Sequence, residues 1–262
     1  MKRFIKKGVL AFALALILIG GTLSVIAWGM GAETQLSWGG GRLGFFPSTA
    51  REINMTFSDD FDRINVDLGV ANVTVQEGTS FSATGQLSDR VTISTDNNTL
   101  VITEARARGP RFNIGFGFSR QSYYLVLTVP HGTALDTLSI ETGVGRVEVE
   151  NIEAARADIH SGVGNVHVRN VEFGHTILDS GVGDVYADGI FTGRTDLSSG
   201  VGNVSLTLPG ARDDYAYRIQ ADIGNASING ERTGSATRSH ANPVADLRLS
   251  SGVGNVRVDF RG

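Results

Sequence analysis

Ser161-Gly162-Val163-Gly164-Asn165-Val166-His167-Val168 is the stretch on which the fold turns, because the chain repeats it. It returns as Ser180-Gly181-Val182-Gly183-Asp184-Val185-Tyr186-Ala187 and as Ser199-Gly200-Val201-Gly202-Asn203-Val204-Ser205-Leu206. It comes back once more as Ser251-Gly252-Val253-Gly254-Asn255-Val256-Arg257-Val258, and Thr142-Gly143-Val144-Gly145-Arg146-Val147-Glu148-Val149 is an earlier version. Gly143, Gly162, Gly181 and Gly200 stand 19 residues apart at each step.

Counted from the first Gly of each motif, apolar residues fill five columns. Three before it stand Ile140, Ile159, Leu178 and Leu197; one after, Val144, Val163, Val182 and Val201. Four after stand Val147, Val166, Val185 and Val204; six after, Val149, Val168, Ala187 and Leu206; nine after, Ile152, Val171 and Ile190. Most positions between are polar. Weaker copies lie at Ile64 to Val75, Ile219 to Ile228 and Leu249 to Val258. No such unit can bury its own apolar side, but stacking units about 4.8 Å apart joins the columns into one core. The expected fold is all-β: a parallel β-solenoid, β-helix or β-roll, of 19 residues per coil. It is right-handed by the crossover rule, with little helix beyond an N-terminal anchor. All five columns are expected inside.

Gly143, Gly145, Gly162, Gly164, Gly181, Gly183, Gly200, Gly202, Gly252 and Gly254 read as bends, where the absence of a Cβ permits a tight corner. The Asn after the second Gly is suited to a side-chain ladder, and the Ser or Thr before the first to a hydroxyl ladder. The period breaks at Gly200 to Asp222 and again at Asp222 to Gly252, where Glu231 to Ala245 forms a polar loop. Insertions in solenoids are loops, and often binding loops.

Upstream, Ala105 to Gln121 carries Arg106, Arg108, Arg111 and Arg120, with Phe112, Ile114, Phe116 and Phe118 alternating against small or polar residues. Period two makes this an edge strand or hairpin with one apolar face. That face either caps the sheet or recognises a partner. Arg106, Arg108, Arg111, Phe112, Phe116 and Phe118 are the candidate contact residues, with the Glu231 to Ala245 loop beside them.

Lys2, Arg3, Lys6 and Lys7 precede an uncharged run from Gly8 to Ala32. Its apolar part is long enough to span a bilayer and longer than a signal-peptide core. Residues 1–7 are therefore expected in the cytoplasm and 8–32 as a single-pass membrane anchor. Residues 33–50 would form a Gly- and aromatic-rich juxtamembrane linker, and 51–262 an extracytoplasmic domain, irregular over 51–130 and regular over 131–262. Secretion after signal cleavage is the alternative.

The first seven residues hold +4 of a formal charge of −4, so the rest carries −8. An acidic exported domain excludes nucleic acid as a partner. The chain has no Cys, and its Lys residues all lie in the first seven positions. Disulfides, thiolate chemistry, a lipidated Cys and exported Schiff-base lysines are excluded.

Two positions before the Gly, one column reads Glu141, His160, Asp179, Ser198. It holds the members of a Ser-His-Asp triad in an unworkable order: Ser198 neighbours Asp179, while His160 is two coils away. A base must lie about 3 Å from its nucleophile. His131, His160, His167, His175 and His240 follow no ligand spacing, so no metal or cofactor is expected. Asp179 and Asp184 approach a glycan-cleaving Asp pair most nearly, and an outward Asp with a turn Asp accounts for them better.

The runs Phe61-Asp62-Arg63-Ile64-Asn65-Val66 and Ala71-Asn72-Val73-Thr74-Val75, the strand ending Leu127-Thr128-Val129-Pro130, and the repeated Ser-Gly-Val-Gly-Asn-Val resemble the bacterial putative-adhesin family. The resemblance covers residues 51–262 and implies a cell-envelope location and a binding or regulatory role, with no catalytic residues. The expected function is a membrane-anchored envelope binding module, not an enzyme, facing an unidentified protein or cell-surface glycan. The alternative is an envelope-stress component acting on a membrane partner. A glycan-active enzyme is a distant third.

Overall fold

The structure, a computed structural model, describes residues 50–105 and 123–261. Among them the one helical element is a single 3-10 turn at Arg212–Asp214, and no helix is long and apolar enough to cross a membrane. The anchor expected at 8–32 lies outside the described residues, as does the linker expected at 33–50 except Ala50, which opens the first strand. All remaining regular structure among the described residues is β-strand, as the alternating pattern requires.

The strands pair off around a corner into coils, numbered here along the chain. Coil 1 is Arg63–Val70 with Asn72–Gly78, and coil 2 is Thr99–Glu104 with Tyr124–Pro130. Coil 3 is Ala134–Val144 with Val147–Glu150; coil 4 is Glu153–Val163 with residues 166–169. Coil 5 is residues 172–182 with Val185–Phe191; coil 6 is Arg194–Val201 with Val204–Pro209. Coil 7 is Ala216–Ile223 with Ala226–Ile228; coil 8 is Asp246–Val253 with Val256–Arg261.

All coils stack through parallel ladders, but not in chain order. Coil 1 lies between coils 2 and 3 on both faces. Coils 3, 4, 5 and 6 follow in sequence. Coil 8 then inserts between coils 6 and 7. The spatial order is therefore 2-1-3-4-5-6-8-7, and at each end the chain overshoots and returns.

Antiparallel strands close both outer coils. At the coil 2 end, Val91–Asp96 pairs one face and Ser82–Ser88 the other, with Ala50–Thr56 beyond. At the coil 7 end these strands are Ala236–Arg238 and Glu231–Arg232. At the coil 7 end the outermost strands are only two and three residues long, which limits strand addition by other chains.

The core is continuous. The columns three before, four after and six after the first Gly are buried throughout coils 3 to 6. Phe173 and Phe191 meet edge to face at 6.2 Å in the middle of the stack. Phe57, Phe61 and Phe81 fill the first end, and Tyr215 with Phe260 fills the last.

Two expectations about the columns are corrected. Val144, Val182 and Val201, one position after the first Gly, are exposed, and Val163 is half-buried. Inside the corner the space is taken by the hydroxyl one position before the Gly. Ser161 Oγ donates to the carbonyl of Gly145 at 3.0 Å, and Ser180 Oγ to that of Gly164 at 2.8 Å. Thr142, Ser199 and Ser251 do the same to Ala71, Gly183 and Gly202. Each buried hydroxyl thus satisfies a neighbouring coil's corner carbonyl, in place of a hydroxyl-to-hydroxyl ladder, and the Val turns outward.

Ile190 is also outside, 43% exposed. Coil 5 lacks the left-handed Asn that Asn151 and Asn170 supply in coils 3 and 4. Gly189 takes the place opposite Val171, Ile190 falls opposite Glu172, and Phe191 enters the core beside Phe173.

Candidate interaction surface

The outward Val column continues through seven stacked strands. Val70 pairs with Val144, Val144 with Val163, Val163 with Val182, Val182 with Val201, Val201 with Val253 and Val253 with Ile223. These β-branched residues form a ridge along the stack, about 29 Å long at six strand spacings. Val70 is 55% exposed and Ile223 68%. Contiguous apolar strips of this kind mark contact sites more often than scattered apolar residues do.

The ridge is rigid because its backbone is bonded through the corner. Gly145 N–H donates to the Val163 carbonyl, Gly183 N–H to Val201 and Gly202 N–H to Val253, at 2.9–3.0 Å. The second Gly of the motif makes this possible. Gly164 has φ +154°, and a Cβ there would stand 1.9 Å from the Gly145 carbonyl oxygen; Gly145, Gly183, Gly202 and Gly254 repeat the arrangement. The first Gly differs. Gly143, Gly162, Gly181, Gly200 and Gly252 continue their strands, and at Gly181 a Cβ would meet the Gly162 carbonyl oxygen at 2.5 Å.

A polar ladder flanks the ridge. Asn165 Oδ1 accepts from Asp184 N–H at 2.9 Å, Asp184 Oδ1 from Asn203 N–H at 2.7 Å, and Asn203 Oδ1 from Asn255 N–H at 3.0 Å. Asn255 Oδ1 accepts from Asn225 N–H at 3.1 Å, and Asn72 Oδ1 from Arg146 N–H at 2.9 Å. Arg146 interrupts the series, since a guanidinium has no acceptor for the next coil; it pairs instead with Glu148 at 3.4 Å.

The Toastrack DUF4097 family description matches residues 61–208, more than half of the chain. The chain belongs to this family. The Toastrack match takes in coils 1 to 6, including the corner motif of coils 3, 4, 5 and 6. A solved Clostridium sporogenes structure, described as a putative cell adhesion protein, has 13% identity and a TM-score of 0.52. It covers 81% of this Toastrack chain and 100% of its own, and shows the same fold. A Bacteroides fragilis structure described as a putative adhesin has 17% identity and a TM-score of 0.41, covering 82% and 100%. No curated protein matches the chain.

On the outer face beside the ridge, the contacts of this Toastrack chain run in the order Ser198, Asp179, His160, Asp158. Ser198 Oγ donates to Asp179. His160 Nδ1 lies 3.8 Å from Asp179, and Nε2 lies 2.6 Å from Asp158. Asp179 therefore stands between the hydroxyl and the imidazole, and His160 has no route to Ser198 as a base. Asp179 and then Asp158 raise the His160 pKa against the opposing effect of burial, and His160 followed by Ser198 lowers that of Asp179. The cluster is a charge ladder linking coils 4, 5 and 6. Asp184 belongs to the corner ladder, on the far side of the bend.

The opposite corner holds an open groove of about 430 Å³ beside Glu77, Pro130, Asn151, Glu153, Glu172 and Ile190. Glu77 there bonds His131 at 3.0 Å and Gly132 N–H at 3.3 Å. Arg106, Arg108, Arg111, Phe112, Phe116 and Phe118 lie outside the described residues. The Glu231 to Ala245 loop supplies the strands that close coil 7, and Arg238 in it bonds Asp213 at 2.8 Å. The sequence reading missed the ridge. Its signal was a polar residue with the parity of a core position: buried Ser161 stands two residues before Val163, so both cannot fill one corner.

Proposed function

We infer that the chain is a binding module of the bacterial cell envelope. Residues 8–32 anchor it in the membrane as a single pass, and the solenoid stands on the outer side. The observation that carries the binding role is the ridge of seven outward β-branched residues on a backbone hydrogen-bonded from coil to coil through the corner. Stacked strands lose little conformational entropy on binding because they are already ordered. The cell-adhesion description of the C. sporogenes protein accords with this reading. The charge split between the first seven residues and the remainder supports the orientation.

The test uses the full chain in its native membrane. Alkaline carbonate should leave it in the pellet, whereas a cleaved secretory signal would release it. Crosslinking on intact cells should capture partners through the wild-type chain and lose them with Val144→Arg or Val201→Arg. An unchanged set of crosslinked species would overturn the ridge as the binding surface.

A further inference from the structure

We propose that two copies of this chain associate ridge to ridge, antiparallel, about a two-fold axis at Val163. The inference rests on reading the ridge as a contact surface and names its occupant.

The first argument is pitch. The ridge presents one branched side chain per strand spacing, about 4.8 Å. Side chains meet rung for rung along such a row only with a second row of the same repeat. A second copy carries that repeat by construction.

The second argument is charge, and it selects the register. The flanking corner column reads Asn72, Arg146, Asn165, Asp184, Asn203, Asn255, Asn225 in spatial order. It contains two charges of opposite sign, one coil to either side of Val163. A two-fold axis through Val163, perpendicular to the ridge and in the plane between the copies, keeps the two corner columns on the same side. Arg146 then faces Asp184 of the second copy, twice by symmetry. Val144 faces the second copy's Val182, Val70 faces its Val201, and Val163 meets itself. An axis through Val182 would overlap all seven rungs but set Asp184 and Asp179 each against its own mate; the Val163 axis sets Glu141 against the second copy's Asp179 on the far flank but gains the two Arg146–Asp184 pairs beside the ridge. Arg146 can exchange partners readily, because its bond to Glu148 is solvent-exposed.

Size sets the strength. Five facing rungs span about 19 Å along one narrow strip. This falls short of the roughly 800 Å² per partner of a permanent dimer. The association is therefore reversible and concentration-dependent, with Val253 and Ile223 left outside the overlap.

The chain has no cysteine, so single replacements report cleanly. With the detergent-solubilised full chain, sedimentation velocity should show dimer rising with concentration for the wild type. Val182→Arg should remain monomeric with an unchanged denaturation midpoint. Under mild oxidation Val163→Cys should form a disulfide-linked dimer at least tenfold faster than Val253→Cys. Arg146→Asp should weaken association several-fold, and combining it with Asp184→Arg should restore it. Equal crosslinking of Val163→Cys and Val253→Cys would overturn the register. A wild type that stays monomeric at every concentration would overturn self-association altogether. If Val182→Arg nonetheless abolished cell-surface crosslinks, the ridge would remain a binding surface for another molecule.

Discussion

The amide of Gly164 donates to the carbonyl of Val182 at 2.9 Å, joining two coils at the point where each changes direction. A corner usually interrupts a ladder. Here it continues, because a glycine with φ +154° lets the backbone approach the next coil directly. The same bond holds the Val182 backbone while its side chain faces outward. Scaffold and surface are thus built by one motif.

Replacing the second glycine should be costly. Gly164→Ala places a Cβ 1.9 Å from the Gly145 carbonyl oxygen in a conformation that L-residues avoid. Urea denaturation should show a loss of about 3 kcal/mol or more. Gly132→Ala is the control, since φ is +72° but nothing lies within 4 Å of the added atom. It should lose only about 1 kcal/mol.

Two valines three residues apart should respond very differently to the same change. Val185 is buried and Val182 is 36% exposed. Val185→Asp should destabilise by about 3–5 kcal/mol, because the charge is left unpaired in the core. Val182→Asp should shift the urea midpoint by no more than about 0.5 kcal/mol equivalent. Equal losses would return the outward column to the core.

The break in the corner ladder can be repaired. Arg146→Asn supplies an acceptor for the Asn165 amide and gives up an exposed ion pair to Glu148. Thermal and urea unfolding should both show a gain of about 0.5–1 kcal/mol, the net worth of one hydrogen bond.

The His160 ladder should make stability depend on pH in a set direction. The imidazole faces Asp179 on one neighbouring strand, Glu141 on the other and Asp158 on its own. Its pKa is raised from 6.5, so its contribution is complete below that value and fades as pH rises through the folded-state pKa. The Asp179 pKa is lowered from 3.8, so its contribution is present above that value and fades in acid. Between about pH 6 and 8 the wild-type melting temperature should fall relative to that of His160→Gln. Parallel pH profiles for the two proteins would remove His160 from the account.

Ser180→Ala should cost about 1–2 kcal/mol by urea denaturation, because the Gly164 carbonyl would lose its buried donor at 2.8 Å. No loss would mean that the carbonyl finds another partner.

Much of this architecture is legible in one dimension. The 19-residue period, the strands, and the buried columns at Ile159, Val166 and Val168 follow from alternation, which is a local property of the extended chain. The misplacement of His160 relative to Ser198 follows from the same count. The outward turn of Val163 does not, because alternation stops at a corner and the choice depends on whether Ser161 or Val163 fits inside against the next coil's carbonyl. Ile190 leaves its column for a related reason: coil 5 omits one residue at the opposite corner and restores it between Phe191 and Thr195, so the period of the motif hides the slip.

A coil is defined locally: two short strands, a glycine corner and an apolar interior repeated at fixed spacing. Which coil lies against which is settled only when the chain is folded. The columns of coils 1, 3, 6 and 8 are chemically alike, so each offers its neighbours nearly the same ladder and the same core. Adjacency is then set by the reach of the connecting segments and by the antiparallel strands that close each end. That is why coil 1 sits inside coil 2, and coil 8 inside coil 7.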